Sequence, residues 1–224
     1  MNNLEEIKPT MLITGTSRGI GLECAKYFNN SYTIVGVART SGEFVTEVGD
    51  ITNLSFRNTI TEKYTPNVFI NNAGVSGNSE TGELFRTNIE AAGCLLLNFY
   101  KKMPKGHIIN LSSWNANMSG GVNSGLGELA YKSSKLFIKN LSNNLSNKRN
   151  KPLLITSLEP QVIYTDMISK IIPQRPTEDC YKNYNFESYT PMSTTYIAET
   201  IQWIINQPPW VCIKSLEISN AYKN

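Results

Sequence analysis

A tyrosine and a lysine four residues apart could perform acid–base chemistry in this chain. Tyr131 and Lys135 would be neighbours on one helix face, because side chains at positions i and i+4 lie one above the other. A free tyrosine has a pKa of about 10 and exchanges protons poorly at neutral pH. At roughly 6 Å and an effective dielectric constant of about 20, the lysine charge would favour the phenolate by about 2.8 kcal/mol, or about two pKa units. Tyr131 could then act as a general acid and base, although the pair taken alone also fits two solvated surface side chains.

A glycine-rich turn near the N-terminus predicts a dinucleotide site. The apolar residues 11–13 are followed by residues 14–21, which read TGTSRGIG, and then by a helical pattern. Gly15 would allow a sharp exit from a strand, Gly19 would let the backbone approach a pyrophosphate, and Gly21 would let the helix pack closely on the sheet. The N–H groups at the helix start would hold the phosphates. The alternative is an ordinary loop.

Short apolar runs alternate with helical stretches along the chain. The runs cover residues 11–14, 32–38, 67–71, 107–112, 153–158 and 211–218. They are rich in Ile, Val and Leu, as parallel strands buried on both faces should be. Patterns at 84–103 and 128–148 predict two long helices. We therefore expect an α/β fold with a doubly wound parallel sheet, whose ligands bind at the carboxyl ends of the strands.

Seven motifs give the chain a family likeness. They are the glycine turn, Asp50 with Ile51, residues 71–74, Asn88, residues 108–113, Tyr131 with Lys135, and residues 160–167. In this order they resemble the short-chain dehydrogenase/reductase family in its compact, single-domain form. The resemblance implies a Rossmann fold with seven strands and a catalytic site at the carboxyl edge of the sheet.

The resemblance also implies roles for individual residues. The implied catalytic set is Asn88, Ser113, Tyr131 and Lys135. Ser113 would donate to the substrate oxygen, Lys135 would bind the nicotinamide ribose and lower the pKa of Tyr131, and Asn88 would kink its helix and hold a water that connects the lysine to solvent. The implied cofactor contacts are Gly15, Ser17, Arg18, Gly19, Ile20, Gly21, Arg39, Asp50, Ile51, Asn72, Ala73, Gly74, Tyr131, Lys135, Pro160, Ile163 and Thr165. Asp50 could instead cap a helix beginning near Asn53, residues 71–74 could be a simple turn, and Asn88 could face solvent.

Arg39, at the end of the second predicted strand, favours NADP(H) over NAD(H). An acidic residue at this place would hydrogen-bond a ribose 2′-hydroxyl and repel a 2′-phosphate, but none occurs before Glu43. Arg39 and Arg18 could together bind a 2′-phosphate, which arginine can hold with two parallel hydrogen bonds. The alternative is that both are solvated surface arginines.

The composition predicts one soluble domain, with residues 1–224 as a single NAD(P)-binding unit. Of the 224 residues 40% are hydrophobic and 17% charged, and a net charge of +3 is too small to indicate nucleic acid as a partner. No apolar stretch approaches the roughly 20 residues that span a bilayer, and the polar residues 1–6 do not resemble a signal peptide. Four widely spaced cysteines and one histidine disfavour a metal site and suggest reduced thiols. We therefore expect a cytoplasmic protein without a membrane partner.

Two positions depart from the family pattern. Arg39 and Asp50 are only eleven positions apart, which is too short for the usual helix and strand, so we expect a trimmed or missing helix on that flank. Gln161 replaces the usual glycine and would be strained if the backbone there had a positive φ. The nicotinamide pocket could therefore differ from the family's.

The expected activity is hydride transfer between nicotinamide and a carbonyl or secondary alcohol, with Tyr131 as general acid and base. A substrate lid is expected at about residues 165–192. Residues 197–218 faintly resemble the branch that oxidises serine and related 3-hydroxy acids, and the two long helices resemble those that pair in family homodimers and homotetramers. The alternative is an NADP(H)-binding regulatory or redox-sensing protein with weak or vestigial catalysis.

Overall fold

Within the described residues, seven strands form one parallel sheet. The structure is a computed structural model that describes residues 7–76, 78–117, 125–148, 150–165, 167 and 190–221. The strands are β1 (Thr10–Thr14), β2 (Thr33–Ala38), β3 (Glu47–Val48), β4 (Val68–Asn71), β5 (Gly106–Leu111), β6 (Leu153–Pro160) and β7 (Ser215–Ile218). Their order across the sheet is β3-β2-β1-β4-β5-β6-β7, which is the predicted doubly wound arrangement.

The helices lie between the strands in the chain order. They are α1 (Gly19–Phe28), α2 (Leu54–Lys63), α3 (Thr81–Phe85), α4 (Ala92–Lys102), α5 (Leu126–Ser146) and α6 (Thr194–Ile205). A π-helical segment (Arg86–Ala91) joins α3 to α4, and a 3₁₀ turn (Trp114–Asn117) follows β5. The two predicted long helices are confirmed, one as α5 and the other as the continuous run from α3 to α4. None of the helices in the described parts of the chain is both long enough and apolar enough to cross a membrane.

Alternate residues of the strands face two separate apolar cores. On one face, Leu12, Phe69 and Ile108 lie side by side and pack against α2, α4 and α5. On the other face, Ile13 and Ile109 pack against α1 and α6. The sheet is therefore buried on both sides, as the apolar character of its strands indicates.

The link between β2 and β3, residues 39–46, contains no helix. The Thr46 N–H donates to the Gly36 carbonyl oxygen at 2.8 Å, and Phe44 packs against the core that contains α1. A Cβ on Gly36 would lie 2.7 Å from Thr16 Oγ1 and closer still to the Phe44 carbonyl oxygen, so the link lies directly on β2. The predicted loss of a helix on this flank is confirmed.

Candidate active site

The predicted site residues lie at the carboxyl edge of the sheet. Residues 15–21 follow β1, residues 72–74 follow β4, Ser113 comes just after β5, and residues 161–165 follow β6. β1 and β4 are neighbours, and the chain leaves them towards opposite halves of the sheet, which opens a crevice at their ends. Helix α5 brings Tyr131 to the same edge, where its side chain interacts with that of Ser113.

The glycine turn adopts the backbone that its glycines permit. Gly15 has a φ of 81° and Gly19 a φ of 59°, values that other residues rarely adopt. A Cβ on Gly21 would lie 2.6 Å from Asn72 Nδ2 and closer still to the Gly15 carbonyl oxygen. The N-cap of α1 is Arg18, whose side chain makes no capping hydrogen bond. The first N–H groups of α1 are therefore left for an anion, and the donor set suits a phosphate.

Thr14 ties the glycine turn to the segment after β4. Its hydroxyl oxygen accepts from the N–H groups of Asn72 and Ala73, both at 3.0 Å. Asn72 Nδ2 donates back to the Thr14 carbonyl oxygen at 2.8 Å. Two predicted cofactor-binding segments are thus held in fixed relation by a residue to which the sequence assigned no role of its own.

Asn88 lies inside the π-helical segment and is only 3% exposed. Its Oδ1 accepts from the Val75 N–H at 2.9 Å, and its Nδ2 donates to the Val75 carbonyl oxygen at 2.9 Å and to Ser134 Oγ at 3.3 Å. The solvent-facing alternative is wrong, because every polar atom of the amide points at protein. Asn88 links the segment after β4 to the helix that carries Tyr131.

Ser113, Tyr131 and Lys135 come together as the sequence predicts. Ser113 is 6% exposed, and its side chain interacts with that of Tyr131. Lys135 Nζ lies 5.7 Å from the centre of the Tyr131 ring and donates to the Leu111 carbonyl oxygen at 2.8 Å. The Lys135 carbonyl oxygen accepts from the Ser112 hydroxyl at 2.8 Å, which fixes α5 against the end of β5.

Burial shifts the pKa of both titratable groups in this set. It raises the pKa of Tyr131 above its usual 10.0, and the hydrogen bond with Ser113 lowers it by less. It lowers the pKa of Lys135 to about 8. The expectation that the pKa of Tyr131 is lowered is therefore wrong in this structure, because desolvation of the phenolate outweighs the contributions that favour it. At neutral pH Tyr131 is a protonated phenol and hence a proton donor.

The remaining predicted cofactor residues differ in exposure. Ser17, Arg18 and Arg39 are exposed, Ile20, Asp50, Asn72, Ala73, Gly74 and Thr165 are half-buried, and Ile51, Pro160 and Ile163 are buried. Asp50 accepts from the Thr52 N–H at 2.8 Å, while Asn53 Oδ1 caps α2 by accepting from the Phe56 N–H at 3.1 Å. The alternative reading of Asp50 as the helix cap is therefore wrong.

Arg57 supports the Asp50 segment, and sequence reasoning missed it. Its side chain is 2% exposed, and Nη1 donates to the carbonyl oxygens of Ile51 and Thr52 at 2.8 and 3.0 Å. Nη2 pairs with Glu90 on the π-helical segment at 2.7 Å. The burial of Arg57 could have been inferred from the sequence, because Arg57 lies three residues before Ile60 and therefore on the same, buried face of α2.

An acidic residue also reaches Arg39. Glu83 on α3 lies 3.3 Å from Arg39 Nη1, and the two side chains are 36% and 57% exposed. No local pattern could have predicted this pair, since 44 positions separate its members. The charge that Arg39 offers to a ligand is thus partly balanced.

The segment after β6 passes beside the glycine turn. A Cβ on Gly19 would lie 3.7 Å from Thr165 Cγ2, so the two segments are in contact. Ile163 forms a parallel bridge with Met192, just before α6. Most of the predicted lid, residues 168–189, lies outside the described residues.

A buried network of one ion pair and several hydrogen bonds surrounds Glu159 on β6, next to helix α5. The Glu159 side chain is 1% exposed and accepts from Lys139 Nζ at 2.8 Å, from Asn117 Nδ2 at 3.1 Å and from the Ser215 hydroxyl. Burial raises the pKa of Glu159, but the hydrogen bonds from Lys139, Ser215 and Asn117 outweigh burial and hold the pKa below its usual value. Glu159 thereby joins α5, the turn after Ser113 and β7, a role that no local motif indicated.

Comparisons with known proteins agree with this geometry. The family model described as short chain dehydrogenase matches residues 9–176. Serine 3-dehydrogenase of Agrobacterium fabrum is 27% identical, over 93% of this chain and 92% of that protein. The structure of the closed form of serine dehydrogenase complexed with NADP+ has a TM-score of 0.74 and 17% identity, covering 93% of this chain and 94% of that one. A 4-hydroxyisoleucine dehydrogenase mutant complexed with NADH and succinate has a TM-score of 0.75 and 20% identity, covering 95% and 98%.

The two similar structures support the fold of this chain, and the family model shows which family it belongs to. The match spans the glycine turn, the segment after β4, Ser113, Tyr131 with Lys135, and the segment after β6. The chain therefore belongs to the short-chain dehydrogenase family of oxidoreductases.

Proposed function

We propose that this protein is an NADP(H)-dependent oxidoreductase that transfers a hydride between nicotinamide and a carbonyl or secondary alcohol, with Tyr131 as general acid and base. One observation carries the proposal. Lys135 Nζ lies 5.7 Å from the centre of the Tyr131 ring, and the buried Ser113 side chain interacts with Tyr131, at the edge of the sheet where the glycine turn lies. The pair of Tyr131 and Lys135 is therefore part of a built site and not a pair of surface side chains.

The residues present fit a dinucleotide. Gly15 and Gly19 have positive φ, Gly21 packs closely against Gly15, and the start of α1 has no capping side chain, so its first N–H groups are available to a ligand. These groups would hold the pyrophosphate. Ile51, with Asp50 beside it, would contact the adenine, and Ile163 and Thr165 would contact the nicotinamide carboxamide.

Each catalytic side chain has a separate task in the proposed mechanism. The cofactor, when bound, supplies or accepts the hydride. In the reducing direction Tyr131 gives its proton to the carbonyl oxygen, and Ser113 donates a hydrogen bond to the same oxygen as negative charge develops there. In the oxidising direction Tyr131 must first lose its proton, and the charge on Lys135, present below its pKa of about 8, stabilises the phenolate. Asn88 holds the segment after β4 and would position the proton-relay water.

The preference for NADP(H) is supported by Arg18 at the start of α1 and Arg39 just after β2, both of which are exposed. Glu83 opposes it, because a carboxylate beside Arg39 competes with a 2′-phosphate. Of the similar structures, that of serine dehydrogenase contains NADP+ and that of 4-hydroxyisoleucine dehydrogenase contains NADH. A direct comparison of the two cofactors is therefore the first measurement to make.

We take hydroxy amino acids and 3-hydroxy acids as the first substrate class. The support is the similarity to serine 3-dehydrogenase over 93% of the chain, together with the similarity to 4-hydroxyisoleucine dehydrogenase. Each of those names describes an amino acid that carries a hydroxyl group. Serine, threonine, 3-hydroxybutyrate and their oxo counterparts form the initial panel.

A homodimer or homotetramer is the proposed assembly. Leu97 on α4 and Leu129, Leu136 and Phe137 on α5 expose apolar side chains, between 37% and 42% of each. Apolar residues repeated along two adjacent helices suit a self-complementary interface. Light scattering at micromolar concentration that gave only the 25.1 kDa monomer would refute this assembly.

The test of the proposed function combines turnover with cofactor binding. NADPH oxidation with a panel of carbonyls should identify a substrate, and Tyr131→Phe should then reduce turnover by at least the roughly 10² of a lost acid–base group while NADPH still binds. Tyr196→Phe, which changes an exposed tyrosine on α6, is the matched control and should keep full turnover. Full turnover by Tyr131→Phe would mean that another residue is the general acid. NADPH binding without turnover across the panel would favour the regulatory or redox-sensing alternative.

A further inference from the structure

Gln161 and Asn220 are joined by a hydrogen bond at the end of β6. The Asn220 N–H donates to Gln161 Oε1 at 2.7 Å. Asn220 Oδ1 accepts from the Val162 N–H at 3.0 Å, and Asn220 Nδ2 donates to the Val162 carbonyl oxygen at 3.3 Å. The Gln161 N–H donates to the Ile218 carbonyl oxygen at 2.9 Å, which completes the connection between the ends of β6 and β7. Both backbone polar groups of Val162 are thus paired with one side chain.

Asn220 also reaches the chain that leads into α6. Its Nδ2 donates to the Thr190 carbonyl oxygen at 2.7 Å. Close by, the Met192 N–H donates to the Val162 carbonyl oxygen at 2.9 Å, and the Tyr164 N–H donates to the Met192 carbonyl oxygen at 2.8 Å. One asparagine therefore holds the segment after β6 and the segment before α6 in a common frame.

These hydrogen bonds affect residues that line the crevice. Ile163 is 7% exposed and follows Val162 immediately, and Thr165 touches the glycine turn at Gly19. A shift of the Val162 backbone would be transmitted to both residues, because only one and three peptide units separate them from it. Asn220 itself lies past the end of β7 and does not belong to the crevice.

We propose that Asn220, paired with Gln161, is a positioning residue for the nicotinamide end of the cofactor. The inference rests on the proposed function, since it takes Ile163 and Thr165 as nicotinamide contacts. Gln161 stands where the family has a glycine, and its side chain is fastened by the Asn220 N–H. The pair fixes by hydrogen bonds a turn that elsewhere relies on glycine.

A purely structural role is the competing explanation, and the two make different predictions. If Asn220 only fastens the chain end to the sheet, its loss should lower the unfolding temperature and weaken all ligands alike. If it positions the nicotinamide segment, its loss should weaken NADPH but spare 2′,5′-ADP, which has the adenosine end and no nicotinamide. The ratio of the two affinities therefore separates the roles.

The experiment measures NADPH and 2′,5′-ADP binding by the full chain carrying Asn220→Ala. We expect NADPH affinity to fall about tenfold, equivalent to about 1.4 kcal/mol, and 2′,5′-ADP affinity to stay within about twofold. The fluorescence gain of each bound NADPH should also fall, because that signal reports how well the reduced nicotinamide ring is held. Asn58→Ala, which removes an exposed asparagine side chain on α2, is the control and should leave all three values unchanged.

A second variant covers the case in which Asn220→Ala does not fold. Gln161→Gly restores the family's glycine and removes one hydrogen bond, and it should lower NADPH affinity by about threefold with 2′,5′-ADP unchanged. Unchanged NADPH affinity in the folded variants, or an equal loss of affinity for NADPH and 2′,5′-ADP, would overturn this inference but not the proposed function. Failure of the unmodified protein to bind NADPH would overturn the proposed function and the inference with it.

Discussion

Replacing Glu83 by glutamine should strengthen NADPH binding and leave NADH binding nearly unchanged. Glu83 lies 3.3 Å from Arg39 Nη1, and both side chains reach solvent. A 2′-phosphate that binds Arg39 must replace Glu83 as the partner of the guanidinium. NADH has no 2′-phosphate, so the exchange does not arise for it.

The size of the effect follows from the geometry of the pair. At 3.3 Å in water, the Coulomb attraction between unit charges is about 1.3 kcal/mol, and exposed pairs of this kind are typically worth about 0.2–1 kcal/mol. Repulsion between the freed carboxylate and the phosphate adds a contribution of similar size. The sum of about 1–2 kcal/mol corresponds to roughly a five- to thirtyfold gain in NADPH affinity for Glu83→Gln.

Fluorescence titration with both cofactors, at low and at high salt, would measure the effect. The gain should shrink in high salt, because exposed charges are screened. Glu80→Gln is a matched control, since it removes the same charge at the start of α3, where Glu80 pairs with Arg86 at 3.6 Å. An equal gain from both variants would mean that only the net charge of α3 matters. No gain from Glu83→Gln would mean that Arg39 does not bind the 2′-phosphate.

Three further predictions concern acid–base chemistry, the phosphate site and the buried network. The rate of alcohol oxidation at saturating NADP+ should rise from pH 7 to pH 8, because burial raises the pKa of Tyr131, oxidation needs the phenolate, and Lys135 keeps its charge up to about that pH; a flat profile over this range would contradict this. Gly21→Ala should abolish binding of both NADPH and 2′,5′-ADP in calorimetry, because its Cβ would collide with the Gly15 carbonyl; retained binding would show that the turn can move. Glu159→Gln should lower the Tm at pH 7 by about 4–8 °C, since it leaves Lys139, 19% exposed, without its anion at a cost of about 2 kcal/mol. Because the pKa of Glu159 is held below 4.5, its stabilisation is present above that pH and is lost as the pH falls through the lowered pKa, so the Tm difference should close in acid; equal Tm values at pH 7 would refute the reasoning.

The features that could be predicted from the sequence are those whose cause is local. Gly15, Gly19 and Gly21 lie within seven positions of one another, and a single turn of helix sets Tyr131 beside Lys135. The alternation of apolar runs and helical patterns predicted the doubly wound sheet, because each element must bury its apolar side against a neighbour. The short link before Asp50 predicted the missing helix by length alone.

The features that could not be predicted depend on residues far apart in the chain. Arg39 meets Glu83 only because separate crossovers end at neighbouring places, and Lys139 meets Glu159 only because α5 packs back against β6. The pKa of Tyr131 is a further case. Its helical spacing to Lys135 was available from the sequence, but the depth of burial that raises the pKa is a property of the assembled fold.

The helix-free link between β2 and β3 constrains how this chain can change by mutation. Gly36 and the carbonyl oxygen of Phe44 occupy space that a side chain on β2 would need. Any larger residue at Gly36 therefore requires a different path for residues 39–46, and a longer link that left β2 would leave Phe44's place in the core empty. We therefore expect a larger residue at Gly36 and a different path for the link to be tolerated only in combination. An engineer who wishes to graft a helix here should vary Gly36 and the link in one library.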